Sequence, residues 1–548
     1  MMSNIILALI MLSLQKWQLG VEAVFNKQQV YTATFHVQWF NASPDGYERQ
    51  ILSINNQFPS PTIIVNRGDV INITVVNQAS EAISIHWHGI TQRHSLHMDG
   101  VPGVTQCAIL PTQSYVYQFN TNEQSGTYWY HSHSGIQYGD GLKGVLIIND
   151  PNDPWKNYYT NEEVLQLSDW YHTPVGVLLQ AYVTSSMEDP IPDTGLINGI
   201  GQFNCKICEY YNASIQTGET KRYRIINTSI YAAFTLTIDE HKMRVIEADG
   251  TILNGDMCVR SLRINPGQRY SVLVNGKRNP TRNYWIRATI NPFRMFNEKF
   301  NTSVQPNVSA ILQYTNNNGE YIFAQSPPMT TFNNVDGIIL ESITSGMRSM
   351  DESNLHPLKS NTNRIPNNNK NTKTIVLNVK VLGSSPGYFA LNNSTFSHSL
   401  NTTLLYLLLS DSENQLLSDK NIGLIETNEI IDVVINNIDY APHPFHLHGH
   451  FAWILASGKT NEGFYNETMH RNIKYNLHNP IYRDTWTVNP NTYIVFRFKA
   501  NNPGIWMMHC HNDWHLQLGM AFVFLESPQN IKRYYKGQMS SIPSHCMH

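Results

Sequence analysis

The stretch Trp506-Met507-Met508-His509-Cys510-His511-Asn512-Asp513-Trp514-His515-Leu516-Gln517-Leu518-Gly519-Met520 carries a thiol, three imidazoles and, at its end, a thioether. Cys510 and His515 offer a soft sulfur and a nitrogen donor, and Met520 offers a weak axial sulfur. One more histidine from elsewhere would complete the ligand set of a blue-copper electron-transfer site. If this stretch is extended, His509 and His511 point to the opposite side from Cys510. They would then face a second metal site, covalently joined to the first. A buried cysteine among surface histidines is the plainer reading, but it does not account for a His-Cys-His triplet followed by another His and a Met.

Three further clusters answer this one. They are Ile85-His86-Trp87-His88-Gly89, Tyr130-His131-Ser132-His133-Ser134 and His443-Pro444-Phe445-His446-Leu447-His448-Gly449-His450. In a strand, His-X-His sets both imidazoles on one face. One such pair alone is more often a surface accident than a ligand pair; four together are not. Counting His509 and His511, they supply eight nitrogens, enough for three metals with open positions for a small ligand. His443 is left over and would complete the Cys510 and His515 site. Imidazole suits copper, zinc, iron or nickel, and the thiolate with Met520 narrows the first site to copper. Electrons would enter singly at Cys510 and accumulate where O2 can be reduced to water.

The rest of the chain reads as the frame for these sites. Its 548 residues suit about two to four domains. A net charge of −3 argues against nucleic acid or an anionic membrane as the main partner. Runs such as Val30-Tyr31-Thr32-Ala33-Thr34-Phe35-His36-Val37 and Val70-Ile71-Asn72-Ile73-Thr74-Val75-Val76 are β-branched and aromatic, punctuated by Gly, Pro, Asn and Asp. They predict an all-β chain of sandwiches or barrels. The pattern recurs three times around an Asn turn, which predicts one β domain triplicated. We expect a signal peptide over 1–23, domains over 24–151, 152–346 and 375–548 (the last with a C-terminal tail), and an Asn/Ser-rich linker over 347–374. Ile5 to Leu14 is too short an apolar run to span a bilayer, so we expect a secreted or cell-wall-associated protein without a membrane anchor. Sequons at Asn41, Asn72, Asn212, Asn227, Asn301, Asn307, Asn392, Asn393, Asn401 and Asn466 suit that route, with N-glycans at several. With Cys510 claimed by metal, five cysteines remain, so at least one is free or pairs between chains.

The four histidine clusters resemble the copper-binding signatures of the multicopper oxidases, the group of laccases, ascorbate oxidases and fungal ferroxidases. The resemblance covers the whole secreted chain, and no ligand position is missing. It implies three cupredoxin-like (plastocyanin-like) Greek-key domains and four copper ions. By this resemblance His443, Cys510 and His515 bind the type 1 copper with Met520 axial. His86 and His446 bind the type 2 copper, and His88, His131, His133, His448, His509 and His511 the type 3 pair. His94, His97 and His450 fall outside the pattern. Complete ligands argue against a non-catalytic wall protein, and a copper store needs no second site joined to the first.

Carboxylates carry the remaining chemistry. Asp99 and Asp513 resemble the family's acids near the trinuclear cluster, where they relay protons to reduced O2; Asp99 also fits a plain turn residue before Gly100. Asp193 resembles the fungal-laccase carboxylate that takes a phenol's proton. Asp439, with Asp189 or Glu188, resembles the carboxylates that hold Fe(II) in fungal ferroxidases, although each also fits a loop residue. A further acid of the ferroxidase pattern has no counterpart: Arg294 stands in that stretch. Met520 departs from high-potential fungal laccases, and a thioether there lowers the potential, so easily oxidised catechols and phenols are expected. The resemblance also implies a Cys107–Cys546 clamp. Cys205 has lost its domain-one partner, with Gly139 at that place, and is left to pair with Cys208 or Cys258. The expected activity is laccase-like, with O2 as acceptor; ferroxidase comes second and ascorbate oxidase third.

Overall fold

A computed structural model describes residues 28–184, 189–205, 208–290, 307–323, 352–358, 365–366, 372–382, 388–397, 402–410, 412–466 and 473–536. The expected signal peptide, Glu188, Arg294, Cys546 and much of the expected linker lie outside these residues. Among the described residues no helix is long and apolar enough to cross a membrane.

Three β units follow one another, each built of two mixed sheets. Their strands alternate as the sequence predicts. Val70–Asn77 buries Ile71, Ile73 and Val75 and leaves the intervening residues half-buried, so one face meets a core and the other partial solvent. Ile430–Asn437 is buried along its whole length. In each unit the first strand runs parallel to one that follows it: Val30 pairs with Val70, Asn161 with Lys221 and Thr372 with Ile430. In each second sheet another parallel pair recurs, Ile63 with Leu146, Tyr211 with Ala310 and Ile422 with Val523. The same connectivity three times over, with crossings between the sheets, is that of one Greek-key domain repeated.

The Asn turn has a common physical basis in all three units. The strands end at Asn77, Asn227 and Asn437, and each side-chain oxygen accepts the N–H two residues on, of Ala79, Ser229 and Asp439, at 2.9–3.0 Å. Each side-chain amide donates to two carbonyls, those of Glu81 and Ile109, Ala232 and Ile264, and Ala441 and Asn489. The turn is thereby locked to a strand across the unit. Asn227 is fully buried in these bonds. It cannot carry a glycan in the folded chain, which corrects the expectation from its sequon. Asn41, Asn212, Asn392, Asn393 and Asn466 are exposed.

Nine residues beyond Asn77 and Asn437 stand His86 and His446. The same step from Asn227 reaches Leu236, which is buried in a hydrophobic core. The second unit thus uses for packing the strand that the first and third use for imidazoles. Its core is continuous with that of the third unit and includes Cys510, Trp514 and Met520. Cys205 is disulfide-bonded to Cys208, which decides between its two candidate partners, and Cys258 is free and exposed. Cys107 is disulfide-bonded.

Candidate metal centre

Strand register builds two sites back to back. Gly504–Cys510 runs antiparallel to His443–Leu447, with Cys510 opposite Phe445 and His509 opposite His446. Side chains alternate between faces. Cys510 and His443 therefore share one face, while His446, His448 and His509 share the other. The short helix Asp513–Gln517, capped by the Asn512 side chain on the Trp514 N–H, brings His515 to the Cys510 face. Gly519 then turns the chain at φ +98°, where a Cβ would meet Thr395 Cγ2 at 2.1 Å, so the step to Met520 requires glycine. Met520 is fully buried beside this face, its carbonyl bonded by the Cys510 N–H and its own N–H bonded to the His515 carbonyl.

At the first site His443 Nδ1 and His515 Nδ1 lie 3.1 Å apart, and Cys510 Sγ lies 3.6 and 3.7 Å from them. The opposite nitrogens are engaged: His443 Nε2 meets Asp439 Oδ2 at 3.0 Å and His515 Nε2 meets Asp189 Oδ2 at 3.0 Å. A carboxylate accepts, so a proton on each Nε2 leaves each Nδ1 a lone pair; the Asn512 amide nitrogen also stands 2.9 Å from His515 Nε2. Two lone pairs and a sulfur converging in a dry pocket repel one another unless a cation stands between them. The separations are those of nitrogen and sulfur donors set about 2.0 and about 2.3 Å from one ion. The donor set fits copper.

On the other face eight imidazoles from the first and third units converge. His88 Nδ1 lies 3.2 Å from His511 Nε2, and His448 Nε2 lies 3.1 Å from His509 Nε2. Among the described residues, buried Nε2 atoms of His86, His131, His133 and His446 have no hydrogen-bond partner. Three triads stand within reach of a shared ion: His133, His448 and His509; His86, His88 and His131; His86, His446 and His448. The outer nitrogens are again occupied. Nδ1 atoms of His86, His131, His509 and His446 face the carbonyls of Asp99, Ser132, Cys510 and Asp484 at 2.7–3.1 Å. Such contacts fix the tautomer and aim the free lone pair inward. His88 is reversed, with Nε2 on Thr485 Oγ1 at 3.2 Å and Nδ1 inward.

Burial and mutual repulsion disfavour the charged form of His88, His131, His133, His446, His448, His509 and His511. Burial, then the charges of neighbouring histidines, lowers His131, His133, His509 and His511 well below the ordinary value. Burial is again the first cause where His446 is lowered to about 4 and His448 to about 3. The unfolded chain therefore binds more protons than the folded chain once the pH falls below about 6.5. The copper-free protein should lose stability steadily from about pH 6.5 downward, by up to about 1.4 kcal/mol per pH unit for each such histidine. Urea unfolding across pH 7 to 4 checks this, and a flat profile would contradict it.

Three acids border the eight histidines. Asp99, fully buried, takes His448 Nδ1 at 2.9 Å and lies 3.4 Å from His86 Nδ1. Burial would raise its carboxyl, but His448 and His86 outweigh burial and hold it below the usual range. Its loop is pinned at Gly100, φ +87°, where a Cβ would strike the Ile85 carbonyl oxygen at 1.9 Å. Asp513 has the opposite environment. Among the described residues its Oδ2 is buried without a hydrogen-bond partner, and Gln517 Nε2 lies 3.4 Å from its Oδ1. Burial, with a smaller push from Asp169, raises it to about 8 against that hydrogen bond. It lines a small cavity with His131, His133, His509, His511 and Tyr138.

The third acid, Asp484, is one that sequence reasoning missed. It is fully buried, its Oδ1 3.4 Å from His88 Nε2 and 3.5 Å from His446 Nδ1. Arg269 of the second unit grips it with two bonds of 2.7 and 2.6 Å. The only signal was Arg483-Asp484-Thr485 itself, which has the composition of an exposed loop.

Of the acids expected near the first site, Asp439 and Asp189 meet His443 and His515. Asp193 turns instead to His172, accepting its backbone N–H at 2.8 Å, and is 39% exposed. His450 and His97 sit outside both sites, on Glu526 and Tyr535.

Comparison with known proteins agrees with this geometry. The multicopper oxidase family matches residues 36–153, 161–317 and 380–530. An iron transport multicopper oxidase, fetC, of Epichloe festucae is 33% identical over 91% of this chain and 76% of its own length. Laccase-1 of Cryptococcus neoformans var. neoformans is 32% identical over 91% of this chain and 80% of its own. Among solved structures, Fet3p, described as a multicopper oxidase that functions in iron import, superposes with a TM-score of 0.82 at 28% identity, covering 95% of this chain and 94% of that one. The laccase of Botrytis aclada gives 0.73 at 28% identity, over 94% and 92%. Three matched segments, a repeated cupredoxin-like fold and a cysteine-centred site backed by eight histidines lead to one conclusion: this chain belongs to the multicopper oxidases, copper-dependent oxidoreductases with O2 as acceptor.

Proposed function

We propose that this multicopper oxidase takes its electrons from Fe(II), as a ferroxidase, ahead of the laccase-like oxidation that the sequence favoured. One observation carries the reading: both histidines of the cysteine site direct Nε2 at a buried carboxylate, Asp439 on His443 and Asp189 on His515. Hard oxygen donors suit iron and stabilise Fe(III) over Fe(II). Each carboxylate is bonded to an imidazole of the electron-accepting site, so a reductant held there is one hydrogen bond from a ligand. Asp189 is steadied by the Tyr182 hydroxyl, which donates to its Oδ1 at 2.7 Å.

In this proposal four copper ions would be held: a type 1 ion by His443, Cys510 and His515 together with Met520, a type 2 ion by His86 and His446, and a type 3 pair by His88, His131, His133, His448, His509 and His511. Bound copper supplies one-electron acceptance at the first site and reduction of O2 to water at the second. The remaining work falls to side chains. Asp99 stays ionised and orients His448 and His86. Asp513 holds a proton at neutral pH, in the cavity beside His509 and His511, and delivers it as water forms. Cys510, flanked by His509 and His511, joins the two sites through bonds. We extend the proposal to a secreted, N-glycosylated protein, supported by the exposed sequons.

A phenol-oxidising reading keeps one observation in its favour. The cleft beside His515 is walled by Tyr231, Ala233, Pro266, Ala441, Pro442 and Pro444, a surface suited to a flat ring. Oxygen uptake by the copper-loaded protein separates the two. Asp189→Ala and Asp439→Ala should each lower kcat/KM for Fe(II) about tenfold or more, the scale of one charge-assisted contact, and should lower that for 2,6-dimethoxyphenol much less. Equal losses with both donors, or loss for phenol alone on Asp193→Ala, would reject the ferroxidase reading.

A further inference from the structure

We propose that the cleft between the first and second units binds a neutral sugar, one or two hexose rings long. The proposal does not depend on which donor the cysteine site takes, because no candidate copper ligand lines this cleft.

The cleft opens where the end of Lys143–Asn149 in the first unit meets the strands Asn161–Trp170, Thr220–Asn227 and Met243–Ala248 of the second. It holds about 570 Å3, a size that suits a small ligand and gives room for roughly twenty water-sized groups. Strand period builds its polar lining. Arg222 and Arg224 stand two apart on one strand, so both guanidinium groups leave the same face. Glu162 lies beside Arg222 in the parallel register. Gly126, at φ +122°, lets the first unit approach Glu247: a Cβ there would meet Glu247 Oε1 at 2.6 Å. That same oxygen accepts the Thr127 N–H at 2.6 Å.

The charges are held in place by one another. Arg222 is paired with Asp153 at 2.9 Å and with Glu247, and Arg224 with Glu162 at 3.0 Å. The side chains of Arg222, Arg224 and Glu247 are only 6%, 4% and 2% exposed. Lys156 and Asp150 add one charge of each sign. Cations and carboxylates therefore nearly cancel, and a strongly charged ligand gains little. A hydroxyl gains more, since it donates to a carboxylate and accepts from a guanidinium or an amide at once. The lining offers all three groups, the amides being those of Asn66 and Asn149. It also calls for acceptors. Among the described residues the buried Nε atoms of Arg222 and Arg224 have no hydrogen-bond partner, and an unmet buried donor is costly. Sugar oxygens in the cleft would meet that demand after a small turn of either guanidinium.

Trp155, Pro151, Ile246 and Ile252 give the same cleft apolar surface, against which the C–H face of a sugar ring packs. The indole is fixed by its Nε1 bond to the Leu253 carbonyl at 3.0 Å and by its close fit over Gly255, where a Cβ would meet the ring at 2.4 Å. Apolar surface, fixed hydrogen-bonding groups of both kinds and near charge balance together select a polyol over an ion.

The test is calorimetry on the full copper-loaded chain with methyl glucoside, its charged counterparts glucuronate and glucosamine, and cellobiose. We expect methyl glucoside to bind more tightly than either charged sugar, cellobiose more tightly still, and neither neutral sugar to respond to salt. Arg224→Leu should weaken methyl glucoside about tenfold and Glu162→Gln about threefold. Repeating the titration after enzymatic removal of N-glycans separates the sources. Binding that appears only then assigns the cleft to a glycan of the chain itself; binding before and after assigns it to an external sugar. No binding of methyl glucoside or cellobiose in either preparation overturns the proposal. So does tighter binding of glucuronate or glucosamine, or binding that both variants leave unchanged. If Arg224→Leu fails to fold, Glu162→Gln, at a side chain 33% exposed, decides by itself.

Discussion

Cys510→Ser will remove the blue absorption and nearly all oxygen uptake with every donor, while most of the copper stays bound. Cys510 is the sulfur of the first site and also the residue between His509 and His511, so the change removes a ligand and cuts the bonded path to the second site. Loss of an outer partner of a metal ligand typically costs 10–100-fold; loss of the thiolate should exceed that, by about a thousandfold or more. The serine hydroxyl occupies nearly the same space in a fully buried position, so the fold should persist. The eight imidazoles are untouched, and their copper should remain visible by electron paramagnetic resonance. Retained turnover with Fe(II) or phenol would mean that electrons enter elsewhere and would refute the two-site scheme.

Arg269→Met will destabilise the protein by about 3–5 kcal/mol, because it leaves Asp484 charged, buried and unpaired. The loss should exceed that from any single surface ion pair of this chain. Arg269 does more than neutralise. It donates to the Thr127 carbonyl of the first unit and grips Asp484 of the third, so it ties the unit without candidate ligands to the two that carry them. Asp484 in turn stands 3.4 and 3.5 Å from nitrogens of His88 and His446. The variant should therefore also alter the paramagnetic signal of the eight-histidine site while sparing the blue absorption of the cysteine site. Urea denaturation and the two spectra check this together. Adding Asp484→Leu should recover part of the stability by removing the stranded charge, without restoring the histidine geometry. A stability loss under about 1 kcal/mol would show that water reaches Asp484 and that the pair is not buried as described.

Local pattern was enough to read from sequence the fold class and the side chains that converge in the two candidate metal sites. Strand alternation, the repeated Asn turn and His-X-His spacing act over a few residues, where the two-residue period of a strand dictates which groups share a face. That same period separates Cys510 from His509 and His511 and makes two sites out of one strand. Long-range approach was not legible. Asp484 and Arg269 lie far apart in the chain, in a loop-like stretch and beside a turn, and only docking of the second unit against the third buries them together. For the acids of the cysteine site, resemblance named Asp439, Asp189 or Glu188, and Asp193 as candidates, but residue pattern could not choose among carboxylates that all lie in turn-rich segments. Tertiary packing brings Asp189 and Asp439 to Nε2 of the two histidines and turns Asp193 toward His172. Asp99 and Asp513 looked alike in sequence, yet the electrostatic pull of His448 and His86 outweighs burial and lowers one, while burial raises the other. Residue identity and spacing thus determined which metal chemistry this chain can hold. The tertiary structure alone decided which carboxylates meet it and in what protonation state, because burial and charge pairing depend on neighbours that the chain order does not reveal.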